Sequence, residues 1–246
     1  MSSSAQGMRV KICGLTRPAD ARAAAEAGAD VVGAVLVASS PRSVSPGRAG
    51  EIGEAARRPL ALVVADLPVA EIVEAARRAG ASVLQLHGDE PPELLRTLAG
   101  EGDWELWKAA RVRSLDQIER AVARYHGVAR ALLLDGWHPD QLGGTGTRFP
   151  WEALEALRDR IPAGLEVGVA GGLEPANVAM AVTRLRPDIV DVSSGVETRP
   201  GIKEAGLVAA FVERARAAAG RAAGETSRDP IDSPNQPHRE DGTETS

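Results

Sequence analysis

Gly28-Ala29-Asp30-Val31-Val32-Gly33-Ala34-Val35-Leu36-Val37 is a helix-ending glycine followed at once by an almost unbroken apolar run. A strand with one face in water alternates polar with apolar residues, whereas a run that is apolar at nearly every position suits a strand covered on both faces, as in a parallel sheet. Asp30 to Val37 is read as such a strand. On its N-terminal side, Pro18 to Ala27 is Ala-rich, begins with a proline where a helix tolerates one best, and is closed by Gly28, so it reads as a helix. Gly80-Ala81-Ser82 repeats the Gly28-Ala29-Asp30 junction ahead of another apolar run, Val83 to Leu86. The unit of the fold is thus one strand plus one helix.

Extending that unit in both directions predicts further strands at about Met8 to Cys13, Leu60 to Val64, Trp104 to Ala109, Ala131 to Leu134, Leu165 to Val169 and Ile189 to Val192. Helices are expected at about Pro46 to Arg57, Pro68 to Ala79, Pro91 to Leu98, Ser114 to Tyr125, from Trp151, at Pro175 to Leu185 and at Lys203 to Ala219. Eight strands alternating with eight helices is the number that closes a parallel barrel. An open doubly wound sheet is the alternative, but it leaves two edges exposed and usually has fewer strands. The expected fold is therefore α/β, a single (β/α)8 barrel of the TIM type over residues 8–219. Residues 1–7 are expected as a flexible leader. From Gly220 the chain carries Pro230, Pro234 and Pro237 among Ser, Asp, Glu, Arg and Thr. With almost nothing to bury it cannot offset the entropy of ordering, so residues 220–246 are expected as a disordered polar tail.

Composition narrows the function. The 246 residues are 43% hydrophobic but only 3% aromatic, so the core must be built from Ala, Val, Leu and Ile. A formal charge of −5 gives no basic footprint for nucleic acid. No apolar run approaches the ~18 residues of a membrane span, and Met1 to Gly7 lacks the apolar stretch of a signal peptide. The single cysteine cannot form an internal disulfide. These features suit a soluble cytoplasmic enzyme. His87, His126, His138 and His238 show no ligand spacing with each other or with the cysteine, so no metal site is expected. Gly143-Gly144-Thr145-Gly146 lacks the spacing of a dinucleotide fingerprint and no phosphate loop of the Walker type is present, so no nucleotide cofactor is expected either.

The carboxyl ends of all eight strands would meet at one mouth of the barrel, making neighbours of residues far apart in sequence. Arg9-Val10-Lys11-Ile12-Cys13-Gly14-Leu15-Thr16 ends a strand on the lone thiol. Cys13 there is either a buried core cysteine or, beside helix N-termini and phosphate-binding groups, a thiolate able to act as base or nucleophile. Asp135 follows three leucines, so its backbone is rooted in the core while its carboxyl faces the mouth; desolvation would favour the protonated form and make it a general acid. The loops after strands 7 and 8 supply Gly171, Gly172, Ser194 and Gly195, candidates for a phosphate site built from backbone N–H groups. Arg42, in the loop after strand 2, can grip a carboxylate with two parallel hydrogen bonds. Gln85 and His87 end strand 4 and Asp191 lies on strand 8; these complete the expected mouth residues.

With those residues assembled, the chain resembles the phosphoribosylanthranilate isomerase family of tryptophan biosynthesis from about Arg9 to Arg216. The resemblance rests on Lys11-Ile12-Cys13-Gly14, Ser40-Pro41-Arg42, Leu84-Gln85-Leu86-His87-Gly88, Leu133-Leu134-Asp135 and Gly143-Gly144-Thr145-Gly146. It continues through Ala170-Gly171-Gly172-Leu173, Asp191-Val192-Ser193-Ser194-Gly195-Val196-Glu197 and Pro200-Gly201-Ile202-Lys203. It implies a cofactor-free Amadori rearrangement of a phosphorylated aminosugar, with Asp135 as acid, Cys13 as base, Arg42 on the anthranilate carboxylate and the last two loops on the phosphate. Members of such families are monomers or homodimers. Two alternatives are the analogous isomerase of histidine biosynthesis, which typically has an aspartate where Cys13 stands, and a non-catalytic phosphate-sugar sensor, which would need neither Cys13 nor Asp135.

Overall fold

A computed structural model describes residues 7–136 and 151–226. The expected leader up to residue 6, the Gly143–Gly146 loop and the expected tail from 227 lie outside them. The strands are β1 Arg9–Ile12, β2 Val31–Val35, β3 Leu60–Val64, β4 Val83–Leu86, β5 Glu105–Val112, β6 Ala131–Gly136, β7 Glu166–Ala170 and β8 Ile189–Val192. They alternate with α1 Pro18–Glu26, α2 Pro46–Ala56, α3 Val69–Ala79, α4 Pro92–Ala99, α5 Leu115–Tyr125, α6 Trp151–Leu157 and α7 Val178–Leu185, and α8 Ala205–Thr226 follows the last strand. All eight strands are parallel and pair in chain order, and β1 also pairs with β8 through Arg9↔Ile189 to Ile12↔Val192, which closes the barrel.

Closure leaves two interiors. Outside the barrel, alternate strand residues such as Val10, Ile12, Leu62 and Leu134 pack under the helices, which meet them with small side chains, Ala21 and Ala24 of α1 and Ala75 and Ala76 of α3. Alanines on the helix side let helix and sheet pack closely, and Tyr125, Trp151 and Phe211 are the buried aromatics of this layer. Inside, Val31, Ala61, Val83, Ala109, Ala131, Leu133 and Ile189 surround Trp107, the one large filler, which is fully buried. Below this layer Arg9 stacks 4.8 Å over the Trp107 ring and pairs with Glu105 at 2.9 Å and with Glu166, so a charged plug seals the amino end of the barrel.

Helix boundaries follow local chemistry. Ser45 caps α2 by accepting a hydrogen bond from the Arg48 N–H at 3.2 Å, with Pro46 in the first turn. Gly80 closes α3 in the left-handed conformation at φ +61°. Asp30 and Asp188, one residue before β2 and β8, each accept from a neighbouring strand's N–H, that of Val10 at 2.6 Å and of Val167 at 2.8 Å, which pins strand register.

Three departures from the sequence reading matter. Strand β5 runs on to Val112, past the expected end at Ala109, because Ala110 to Val112 pair in register with Leu134 to Gly136. The last helix opens at Ala205 rather than at Lys203, because Lys203 belongs to an element before it: Glu197–Arg199 (β9) and Ile202–Lys203 (β10) form a small antiparallel hairpin turned at Gly201, φ +79°. And α8 continues to Thr226 rather than ending at Ala219, since Arg221, Ala222 and Ala223 are good helix formers. Residues 220–226 are therefore helical and not part of a disordered tail. Among the described residues no helix is long and apolar enough to cross a membrane.

Candidate active site

The barrel's carboxyl end opens into a cavity of about 860 Å3, its open entrance included. Cys13 and Asp135, 122 residues apart in sequence, both line it, as do Arg42, Gln85, His87, Asp191, Gly171, Gly172 and Ser194. Of the expected site residues only Gly195 does not face the cavity. A Cβ there would sit 2.0 Å from the Leu173 carbonyl oxygen, so its place is where the loops after β7 and β8 pack backbone to backbone. Gly171 has a similar constraint: at φ +82° its backbone comes close enough to β6 that a Cβ would lie 2.5 Å from Asp135 Oδ1. Glycine lets the loop press against the carboxyl group. Ser194–Val196 forms one turn of 3-10 helix beside it.

The polar side chains at the mouth are held by partners both on their own strand and across the barrel. Cys13 is only 7% exposed; burial pushes its thiol up, the charge of Lys11 pulls it back, and Asp191 opposes Lys11. His87 spans the mouth from β4 to β6, its Nδ1 3.2 Å from Gln85 Nε2 and its Nε2 3.3 Å from Asp135 Oδ2. Gln85 is almost fully buried, with Oε1 lacking a partner among the described residues. Arg42 does reach the cavity, but its Nε and Nη2 already donate to Glu197 at 2.8 and 2.6 Å. The fork expected to take a carboxylate alone is shared with Glu197, which leaves the Nη1 side for an incoming anion.

The sequence family described as N-(5'phosphoribosyl)anthranilate (PRA) isomerase matches residues 10–214. The chain belongs to the PRA isomerase family. The N-(5'-phosphoribosyl)anthranilate isomerase of Gloeothece citriformis is 41% identical over 211 residues, covering 84% of this chain and 93% of that one. The isomerase of Rubrobacter xylanophilus is 42% identical over 213 residues, covering 85% and 98%. Among solved structures, PRA isomerase from Thermotoga maritima superposes with a TM-score of 0.77 at 35% identity, covering 85% of this chain and 99% of that one. A PRA isomerase in complex with reduced 1-(o-carboxyphenylamino)-1-deoxyribulose 5-phosphate superposes at 0.74 with 34% identity and the same coverage.

In this PRA isomerase-family cavity, several lining groups escaped sequence reasoning. Arg111 enters from β5, where its backbone pairs with Asp135, and lines the cavity. Counting by twos from Trp107 through Ala109 places it on the inward face, a signal hidden by ending the strand too early. Ser40 and Ser193 line the wall as well, and Lys11, Glu197 and Lys203 form the buried layer behind it. Lys11 was legible by the same count, two residues before Cys13.

Proposed function

We infer that the chain catalyses the Amadori rearrangement of N-(5'-phosphoribosyl)anthranilate to 1-(2-carboxyphenylamino)-1-deoxyribulose 5-phosphate, a step of tryptophan biosynthesis, with Asp135 as general acid and Cys13 as general base. Family membership supports the reaction. The observation that carries the residue roles is that this thiol and this carboxyl line one cavity beside the glycine- and serine-rich loops after β7 and β8.

In this assignment the phosphate rests on the Gly171–Gly172 and Ser194 loops, which fixes the sugar across the mouth. Asp135 gives its proton to the ribose ring oxygen; the ring C–O bond breaks and the nitrogen lone pair forms the C=N bond of an iminium. The Cys13 thiolate then takes the proton from the sugar's second carbon; that C–H pair becomes the C=C bond of an enolamine as the C=N π pair returns to nitrogen. The site gives one proton and takes one, so the enolamine has the substrate's composition, and its own tautomerisation yields the ketone. Exchange with solvent resets Cys13 and Asp135. The anthranilate carboxylate lies against the Nη1 side of Arg42. The same proposal places the chain in the cytoplasm as a monomer or homodimer acting on this small phosphorylated substrate.

Loss of anthranilate fluorescence on mixing with freshly made substrate tests the reaction. Cys13→Ala and Asp135→Asn are each expected to lower turnover by about 100-fold or more with the fold intact. Near-wild-type turnover in either variant removes that residue from its role.

A further inference from the structure

Proton transfer at the mouth accounts for the sulfur and the carboxyl but not for the cation beneath them. Lys11 and Cys13 are two apart on β1, so both side chains enter the barrel, and Lys11 is completely buried at 0% exposure. Its Nζ lies 2.9 Å from Asp191 Oδ2. A fully buried ammonium is expensive, and the apolar layer around Trp107 shows that this interior can be filled without one. Space has been left for it. A Cβ on Gly33 of the neighbouring strand would sit 2.9 Å from Cys13 Sγ and 3.1 Å from Lys11 Cε, so glycine keeps the lysine and the sulfur side by side. Asp191 spends one oxygen on Lys11, while the other, Oδ1, is buried without a partner among the described residues.

We propose that Lys11 is a positioning residue for the reaction, the counter-ion against which the Cys13 thiolate forms, and that Asp191 steers the ammonium beneath the sulfur. This rests on the reading of Cys13 as the base. The charged groups that face the sulfur are Lys11 on its own strand, Asp191 from β8, Lys203 from β10 and Arg42 from the loop after β2. Lys203 and Arg42 are both engaged by Glu197, at 2.7 Å and at 2.8 and 2.6 Å, whereas Lys11 stands beside the sulfur, both of them against Gly33. When Cys13 takes the proton from carbon, its charge is neutralised and Lys11 is left paired with Asp191, so a cation remains matched at every stage.

Cys13 is the only cysteine, so the ultraviolet absorbance of its thiolate and its alkylation by iodoacetamide report on it alone in the purified full chain. Lys11→Met is expected to move the midpoint of both titrations up by about one pH unit or more, and Lys11→Arg to restore most of the shift. Asp191→Asn is expected to move the midpoint the opposite way, downward, because a negative neighbour of the thiolate is gone. A merely structural lysine would not give shifts of opposite sign. An unchanged midpoint in folded Lys11→Met overturns the proposal. Should that variant not fold, an unchanged or raised midpoint in Asp191→Asn overturns it instead. Neither readout uses turnover, so an active Cys13→Ala variant would sink the base assignment separately.

Discussion

His87 is held from both sides, and the hydrogen bonds select its tautomer. With Gln85 Nε2 donating to Nδ1, the ring proton sits on Nε2 and faces the Asp135 carboxyl 3.3 Å away. The imidazole thereby fixes where the acid points, and positioning of this kind is worth rate more than affinity. His87→Ala is expected to lower kcat by about tenfold or more with a smaller change in KM; an effect confined to KM would show that the ring binds substrate instead. The thiol makes a second demand at this scale. In the proposed mechanism its thiolate removes the proton, and burial raises the pH at which that form appears, with Lys11 offsetting part of the rise. The rate profile kcat/KM should therefore climb with pH on a limb lying above the ordinary thiol range. A limb below that range would mean that the base is another group.

The β9–β10 hairpin is an element whose few residues tie together parts of the barrel that its strands alone do not join. Glu197 accepts from Arg42, from Lys203 Nζ at 2.7 Å and from the Gly201 N–H at 3.1 Å. Thr16 donates to the Gly201 carbonyl at 2.6 Å, and the Lys203 N–H reaches Asp20 Oδ2 at 3.1 Å, so the hairpin is laced to the start of α1. Burial pushes the Glu197 carboxyl up, but the hydrogen bond from Arg42 and the charge and hydrogen bond of Lys203 outweigh it and leave it lowered. A lowered carboxylate contributes stability that is present above its unfolded pKa and lost as pH falls through its folded value. Acid should therefore loosen this hairpin. Glu197→Gln leaves two nearly buried cations without their anion and is expected to cost about 3 kcal/mol in denaturant unfolding and to weaken the acid dependence of stability. A change well under 1 kcal/mol would mean that water reaches both cations freely.

At the scale of the whole molecule, the barrel separates stability from chemistry along its axis. The amino end is sealed by Arg9 between Glu105 and Glu166, while the cavity opens at the other end. The Trp107 layer lies between them. Arg9→Met leaves two carboxylates without their shared cation at a partly exposed site and is expected to lower stability by about 2 kcal/mol, with kcat and KM unchanged. A fall in kcat at temperatures where the variant is folded would show that the two ends are coupled.

The alternation of apolar runs with Ala-rich helices was enough to specify eight units and a closed barrel, because burial on both faces leaves its mark on every strand residue. Cys13 and Asp135 were legible for a related reason: each is a chemically distinctive residue at the end of an apolar run, and strand ends converge on one mouth. The last helix was placed too short because alanine and arginine carry a helix past the glycine at 220, and composition averaged over the tail conceals seven residues. The hairpin after β8 is not legible in the sequence because its strands, Glu197–Arg199 and Ile202–Lys203, are too short to carry an alternating pattern. What sequence alone determined, then, is the order of elements and the identity of the polar groups at the barrel's mouth, which are set by local pattern. Only the tertiary structure decided which partner each group has: Asp191 on Lys11, His87 on Asp135, Glu197 across Arg42. Each of those pairs joins segments far apart in the chain, and barrel closure brings them together.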